Sequence, residues 1–306
     1  MWEYLEENGI EAGTVRLVRQ ILSDILPETV FTEIFLLKGG MTNRTFVLRC
    51  ENASYLLRLP GAGSEYIVNR VHEKAVYDSL RGNDITEEVL YINAENGIKI
   101  SGFLEDYHVC DRRNRAEVGR CIRKMKAFHA LQLRVPHTFD VFEEIGKYEQ
   151  KAGDFSDRFA DCRETRANVL SLKNLIEADK REACLCHIDA NQDNFLLNAD
   201  DVRLIDWEYA GMSDPYIDVA MFGIYAGYEK DDADWLIAEY LGAEDGPHTR
   251  MQVYAYMSAG AYLWVLWCEI KRASGTDFQE YEAVQYRLAK SFYQYAIELR
   301  GDVRHC

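Results

Sequence analysis

Over the thirty-five residues from Cys184 to Asp218 the chain reads CLCHIDANQDNFLLNADDVRLIDWEYAGMSDPYID, and no other segment restricts the fold as much. His187, Asp189 and Asn194 stand in the order H-x-D-x-x-x-x-N. An apolar run (Phe195 to Leu197), a turn (Asn198 to Asp201) and a short strand (Val202 to Ile205) then lead to a second carboxylate, Asp206. If the turn closes a hairpin, groups 12 and 17 residues apart in sequence meet in one small cluster. That cluster holds one proton acceptor and two hard oxygen donors. Phosphoryl transfer asks for this set, because its transition state is stabilised by positioning and charge neutralisation rather than by covalent help. Asp189 is then the base for an acceptor hydroxyl, Asn194 and Asp206 are ligands for Mg²⁺, and His187 organises the loop. Singly, each is as well a turn carboxylate or a cap; their joint order and spacing carry the assignment.

The rest of the chain reads as a frame for this stretch. With 306 residues, 48% of them hydrophobic, it is long enough for a well-buried core in two lobes. Trp2, Leu5, Val15, Val18, Ile21, Leu22 and Ile25 recur at helical spacing and predict one or two amphipathic helices. FTEIFLL, RTFVLRC and SYLLRLP predict a small antiparallel sheet, followed by a helix from Tyr66 to Leu80 and a strand with a connector from Gly97 to Tyr107. From Glu117 the pattern turns helical, with Val118, Cys121, Ile122, Met125 and Phe128 on one stripe, and residues 136 to 183 add one or two charged helices. His129 reads as a packed histidine without a role. Asp214-Pro215 opens a helix carrying Asp218. The fold class is therefore α+β: a small antiparallel-sheet lobe over residues 1–106 and a larger, mainly helical lobe over 107–306.

Charge and cysteine usage narrow the function classes. Lys and Arg number 35 against 51 Asp and Glu, a net −16 that disfavours nucleic acid and anionic membranes as partners. The same field draws in a cationic substrate and leaves a nucleotide to be received by Mg²⁺ and a local arginine. Ala255 to Cys268 is an apolar run of 14 residues, short of the ~18 a membrane span requires, and predicts a buried helix. Eight cysteines without paired C-x-x-C spacing predict neither a zinc site nor a disulfide framework. With Glu3, Glu6 and Glu7 where a signal sequence would be apolar, the expected location is the cytoplasm.

The central stretch resembles the kinase-like phosphotransferases that act on small molecules, and IDWEYAGMSDPYID looks like the bacterial choline/ethanolamine kinase family in particular. The resemblance runs from about Leu37 to Ile297 and implies a two-lobed, protein-kinase-like fold of the aminoglycoside phosphotransferase type. It implies that Gly39, Gly40, Thr42 and Asn43 of KGGMTN cover ATP phosphates, that Arg58 of YLLRLPG grips them with Glu73 orienting it, and that adenine meets backbone in the connector, at Phe103 and Leu104. It implies that Asp218 fixes the catalytic loop. Trp264 and Trp267 in W-x-x-W, with Phe278 or Tyr281 beyond, are similar to the family's choline-binding end; on composition alone two indoles three apart on a helix are equally core. A quaternary ammonium forms no hydrogen bond and needs aromatic faces and diffuse negative charge, which Trp264, Trp267, Tyr209 and Glu208 are candidates to supply. Only eight residues separate Asp206 from Pro215, too few for a segment that docks a protein substrate. The expected activity is ATP-dependent phosphorylation of choline, with ethanolamine, thiamine or an aminoglycoside as rival acceptors and a non-catalytic nucleotide-binding regulator as the rival class.

Overall fold

In the computed structural model, which describes residues 2–7, 9–37, 43–61, 68–153, 155, 158–179, 181–273 and 275–303, the β-rich runs form strands where alternation places them. β1 (Phe31–Leu37), β2 (Asn43–Cys50), β3 (Ser54–Pro60), β4 (Val89–Ile92) and β5 (Lys99–Gly102) make an antiparallel sheet in the order β1-β2-β3-β5-β4. One face buries Ile34, Phe46, Leu48, Leu57, Leu59 and Ile100 against Leu5 of α1 (Trp2–Glu7) and Val15, Val18, Ile21 and Leu22 of α2 (Ala12–Ile25). The amphipathic start of the chain thus covers a sheet face that would otherwise meet water. Because side chains alternate along a strand, Arg58 between Leu57 and Leu59 points the other way, and its register partner is Lys99. α3 (Arg70–Leu80) starts at Asn69, whose side chain accepts from the Val71 and His72 amides. The predicted first turn from Tyr66, and Gly39, Gly40 and Thr42 of the glycine turn, lie outside the described residues.

The second unit begins with β6 (His108–Val109) and α4 (Arg115–Ala130), which buries the predicted stripe of Val118, Cys121, Ile122, Met125 and Phe128. The charged stretch resolves into α5 (Val141–Ala152), α6 (Cys162–Ser171) and α7 (Lys173–Glu177). β7 (Cys184–Cys186) pairs with β10 (Gly211–Ser213), and β8 (Phe195–Leu197) pairs with β6 and with β9 (Val202–Leu204). α8 (Tyr216–Ala226), α9 (Lys230–Leu241), α10 (Pro247–Ala273) and α11 (Gln279–Val303) follow. α10 is buried at every residue from Met251 to Glu269 because α5, α8 and α11 pack around it. No described helix is long and apolar enough to cross a membrane.

The chain divides after Tyr107, one residue later than the sequence suggests. It also returns: Trp207–Tyr209 group with Met1–Tyr107, while His108–Asp206 and Ala210–Cys306 form the other unit. Periodicity cannot show a three-residue return of this kind, since so short a segment carries no pattern of its own.

Candidate active site

Two left-handed residues shape the catalytic stretch: Ile188 has φ 70° and Asp206 has φ 65°. A β-branched side chain is unfavourable there, so the turn after β7 must be held from outside. Asp218, in the first turn of α8 and fully buried, holds it: its two oxygens accept from the His187 and Ile188 amides at 2.7 Å each. His129 of α4 bonds the same carboxylate through Nε2 at 2.9 Å, and its Nδ1 lies 2.8 Å from the Tyr240 hydroxyl. His187 Nε2 donates to the Ile205 carbonyl at 2.8 Å, and the Ile205 amide donates to the Asn194 carbonyl at 2.9 Å. These bonds tie the loop to the residue before Asp206. The hairpin between them is real: Phe195 pairs with Leu204, and Asn198 Oδ1 caps the turn by accepting from the Asp200 and Asp201 amides.

Within this frame Asp189 accepts from Tyr225 Oη at 2.5 Å and Asn191 Nδ2 at 3.2 Å on one oxygen, and from Asn194 Nδ2 at 3.0 Å on the other. Burial pushes its carboxyl above the ordinary range, outweighing the Tyr225 bond and the field of His187, and the charge of Asp206 adds to the rise. A carboxylate so placed is a stronger proton acceptor than a solvated one. Asn194 spends its amide nitrogen on Asp189, on the carboxylate and on the backbone carbonyl. Its Oδ1 is therefore the atom left for a cation. Together with the Asp206 carboxylate it forms a set of hard oxygen donors, and the residues fit Mg²⁺.

From Tyr225, which bonds Asp189, a run of aromatic rings extends. Tyr225 follows Asp218 by two helical turns, so one face of α8 serves both the loop backbone and Asp189. Its ring lies 5.2 Å from Trp264, Trp264 lies 6.0 Å from Trp267, and Trp267 lies 5.1 Å from Phe278. Both indoles are buried, at 6% and 8% exposure, and Trp264 Nε1 donates to Met221 Sδ. Tyr281 opens α11 nearby: burial first, then the neighbouring Cys268 and Asp189, keep its phenol protonated.

In the first unit, Arg58 and Lys99 face each other across β3 and β5, an arrangement of like charges that needs carboxylates beside it. Arg58 makes a bidentate pair with Glu73 at 2.5 and 2.9 Å and donates to the Gly97 carbonyl at 3.1 Å. Lys99 donates to Glu87 and Tyr77 at 2.6 Å each. Burial alone would raise the Glu73 carboxyl, but Arg58, Lys99 and Arg70 hold it below its ordinary range. Gly97 has φ +69°, and a Cβ there would sit 2.6 Å from Arg70 Nε, so the close approach requires glycine. Arg70 bonds Glu73 at 2.8 Å and Glu208 at 3.4 Å, and Asn43 Nδ2 lies 3.5 Å from the same Glu208 oxygen.

The sequence model of the choline/ethanolamine kinase family matches residues 34–263. The chain belongs to the choline/ethanolamine kinase family. Protein LicA of Haemophilus influenzae is 25% identical over 260 residues, covering 79% of this chain and 75% of its own. Among solved structures, choline kinase LicA from Streptococcus pneumoniae superposes with TM-score 0.78 at 24% identity, over 92% of this chain and 99% of that one. A choline/ethanolamine kinase family protein from Mesorhizobium loti gives 0.80 at 22% identity over 93% and 98%, and the aminoglycoside phosphotransferase APH(4)-Ia gives 0.65 at 16% over 90% and 98%. The fold is the two-lobed, kinase-like one, and the protein is an ATP-dependent phosphotransferase.

The remaining residues expected in the site have partners of their own. Glu208 is paired with Arg70, whose guanidinium offsets its charge, and Glu208 and Tyr209 group with the first unit. The Phe103 amide donates to the Ser54 carbonyl at 2.9 Å, and Phe103 and Leu104, the residues expected beside adenine, are both half-buried. His129 is packed as predicted but has a role after all, as a support of Asp218. Tyr225 is the residue the sequence reading misses. Its position seven after Asp218 on a helix is the signal that identifies it.

Proposed function

We propose that this phosphotransferase transfers the γ-phosphoryl group of ATP to the hydroxyl of choline. Asp189 takes the hydroxyl proton as the choline oxygen bonds to phosphorus; the bridging bond to ADP breaks, and phosphocholine and ADP leave. Asn194 and Asp206 would hold Mg²⁺, which supplies neutralisation of phosphate charge when bound. In the other unit Arg58, braced by Glu73, offers a fixed cation suited to phosphate. His187, Asp218 and His129 keep Asp189 at its place by hydrogen bonds to backbone and side chain. The observation that supports choline is the run of rings from Tyr225, which bonds the base, through Trp264 and Trp267 to Phe278. Aromatic faces attract a quaternary ammonium that no hydrogen bond can hold.

The test is a coupled ADP-release assay with Mg·ATP and choline, ethanolamine, thiamine or an aminoglycoside. Choline is expected to give the highest kcat/KM. A protein that prefers ethanolamine, thiamine or an aminoglycoside overturns the acceptor assignment, and one that releases no ADP with any of them overturns the reading as a whole.

A further inference from the structure

Cys184 and Cys186 point to the same side of β7, because residues two apart on a strand share a face, and their sulfurs lie 3.9 Å apart. A zinc ion bound tetrahedrally at about 2.3 Å from each of two thiolates holds the sulfurs about 3.8 Å apart, so this pair already has the spacing of two zinc ligands. His129 of α4 brings the third donor: one of its ring nitrogens and the two sulfurs all lie within 4.8 Å of one another, and all three residues are buried. Cys110 and Cys121 are also hydrogen-bonded to each other, but among the described residues no third donor of this kind joins them. The C-x-C spacing by itself indicates no zinc site, since the histidine comes from another element.

The His129 ring is held as a ligand's ring is held. Its Nε2 bonds the Asp218 carboxylate at 2.9 Å, the kind of outer contact that orients a metal-bound imidazole. Nδ1 is then the nitrogen available to an ion, and its present partner is the Tyr240 hydroxyl at 2.8 Å. Burial first, then the neighbouring Cys186 and Cys184, keep that phenol protonated, so its oxygen stands beside the same two sulfurs.

We propose that Cys184, Cys186 and His129, with the Tyr240 oxygen as fourth donor, form a structural site for a soft divalent cation of the zinc class. The ion displaces one proton from each thiol to solvent, and the two thiolates offset its charge, so the interior gains none. Every donor is a buried protein group, which is the form of a structural site rather than of a catalytic one with an open position. β7 runs straight into His187, Ile188 and Asp189, and the same His129 supports Asp218. The ion would therefore fasten the strand that leads into the catalytic loop to the brace that holds it.

The test uses the full chain produced with Zn²⁺ in the medium and freed of loosely held metal by gel filtration with a weak chelator. About one zinc per chain is expected in the wild type and in Cys110→Ala, and less than about a tenth of that in Cys184→Ala and Cys186→Ala. Exchange for Cd²⁺ should give a sulfur-to-cadmium charge-transfer absorption in the first two proteins alone. Removing the ion with a strong chelator should lower the wild-type unfolding midpoint by several degrees. If the Cys184 and Cys186 variants do not fold, X-ray absorption on the zinc-loaded wild type carries the test: sulfur and imidazole ligands are expected, and oxygen ligands alone overturn the proposal. A wild type that holds neither zinc nor cadmium overturns it as well. So does zinc retained in Cys184→Ala and Cys186→Ala, which would put the ion elsewhere, as on the Asn194 and Asp206 oxygens.

Discussion

At the residue scale, Asp189, the proposed base, has a proton affinity set by opposing neighbours. Burial raises it and the Tyr225 hydroxyl lowers it. Replacing Tyr225 by Phe removes the lowering bond, so the carboxyl should hold its proton to higher pH and the acid limb of the kcat/KM profile should move upward. The sign is fixed: the active form is the ionised one, and a raised pKa removes it at higher pH than before. A profile of unchanged shape would mean that Tyr225 only packs. Asp189→Asn should lower kcat by roughly two to four orders of magnitude with nucleotide affinity nearly kept, a span expected for loss of a general base. For Asp206→Ala the loss should fall on the nucleotide, with calorimetric Mg·ATP affinity weakened far more than choline affinity. Equal affinities would make Asp206 structural.

At the element scale, α8 is the brace of the site, because Asp218 at its start holds the strained Ile188 turn and Tyr225 two turns later holds Asp189. Asp218→Ala would leave two buried amides and His129 without their acceptor. It should cost about 2–6 kcal/mol of stability, the sum for the two unsatisfied amides, together with most of the turnover. A variant that melts like the wild type with full activity would remove the brace from the account. α10 raises a different question, since Trp264 and Trp267 are as buried as core residues. Changing either to Leu removes the π-face and keeps apolar bulk, so choline KM should rise severalfold, equivalent to roughly 0.5–2 kcal/mol of binding. If the midpoint of unfolding drops while KM holds, the indoles are packing and nothing more.

At the scale of the whole molecule, the charge of −16 would act on Mg·ATP and on the proposed cationic acceptor in opposite senses. Raising ionic strength from about 0.01 to 0.5 M shortens the screening length from about 30 Å to a few ångströms, so kcat/KM for choline should fall while that for Mg·ATP should not. A parallel fall for both would argue against steering by the acidic field. The fold class, the hairpin between Asn194 and Asp206, the buried stripe of α4 and the buried run of α10 were legible in the sequence. Each is local or periodic, and short-range patterns survive in one dimension. The return of Trp207–Tyr209 to the first unit, the pairing of Glu208 with Arg70, the support of Asp218 by His129 and the bond from Tyr225 to Asp189 were not. The contacts among them join residues 36 to 138 positions apart, and such partners are chosen by how helices and strands pack, not by any spacing along the chain.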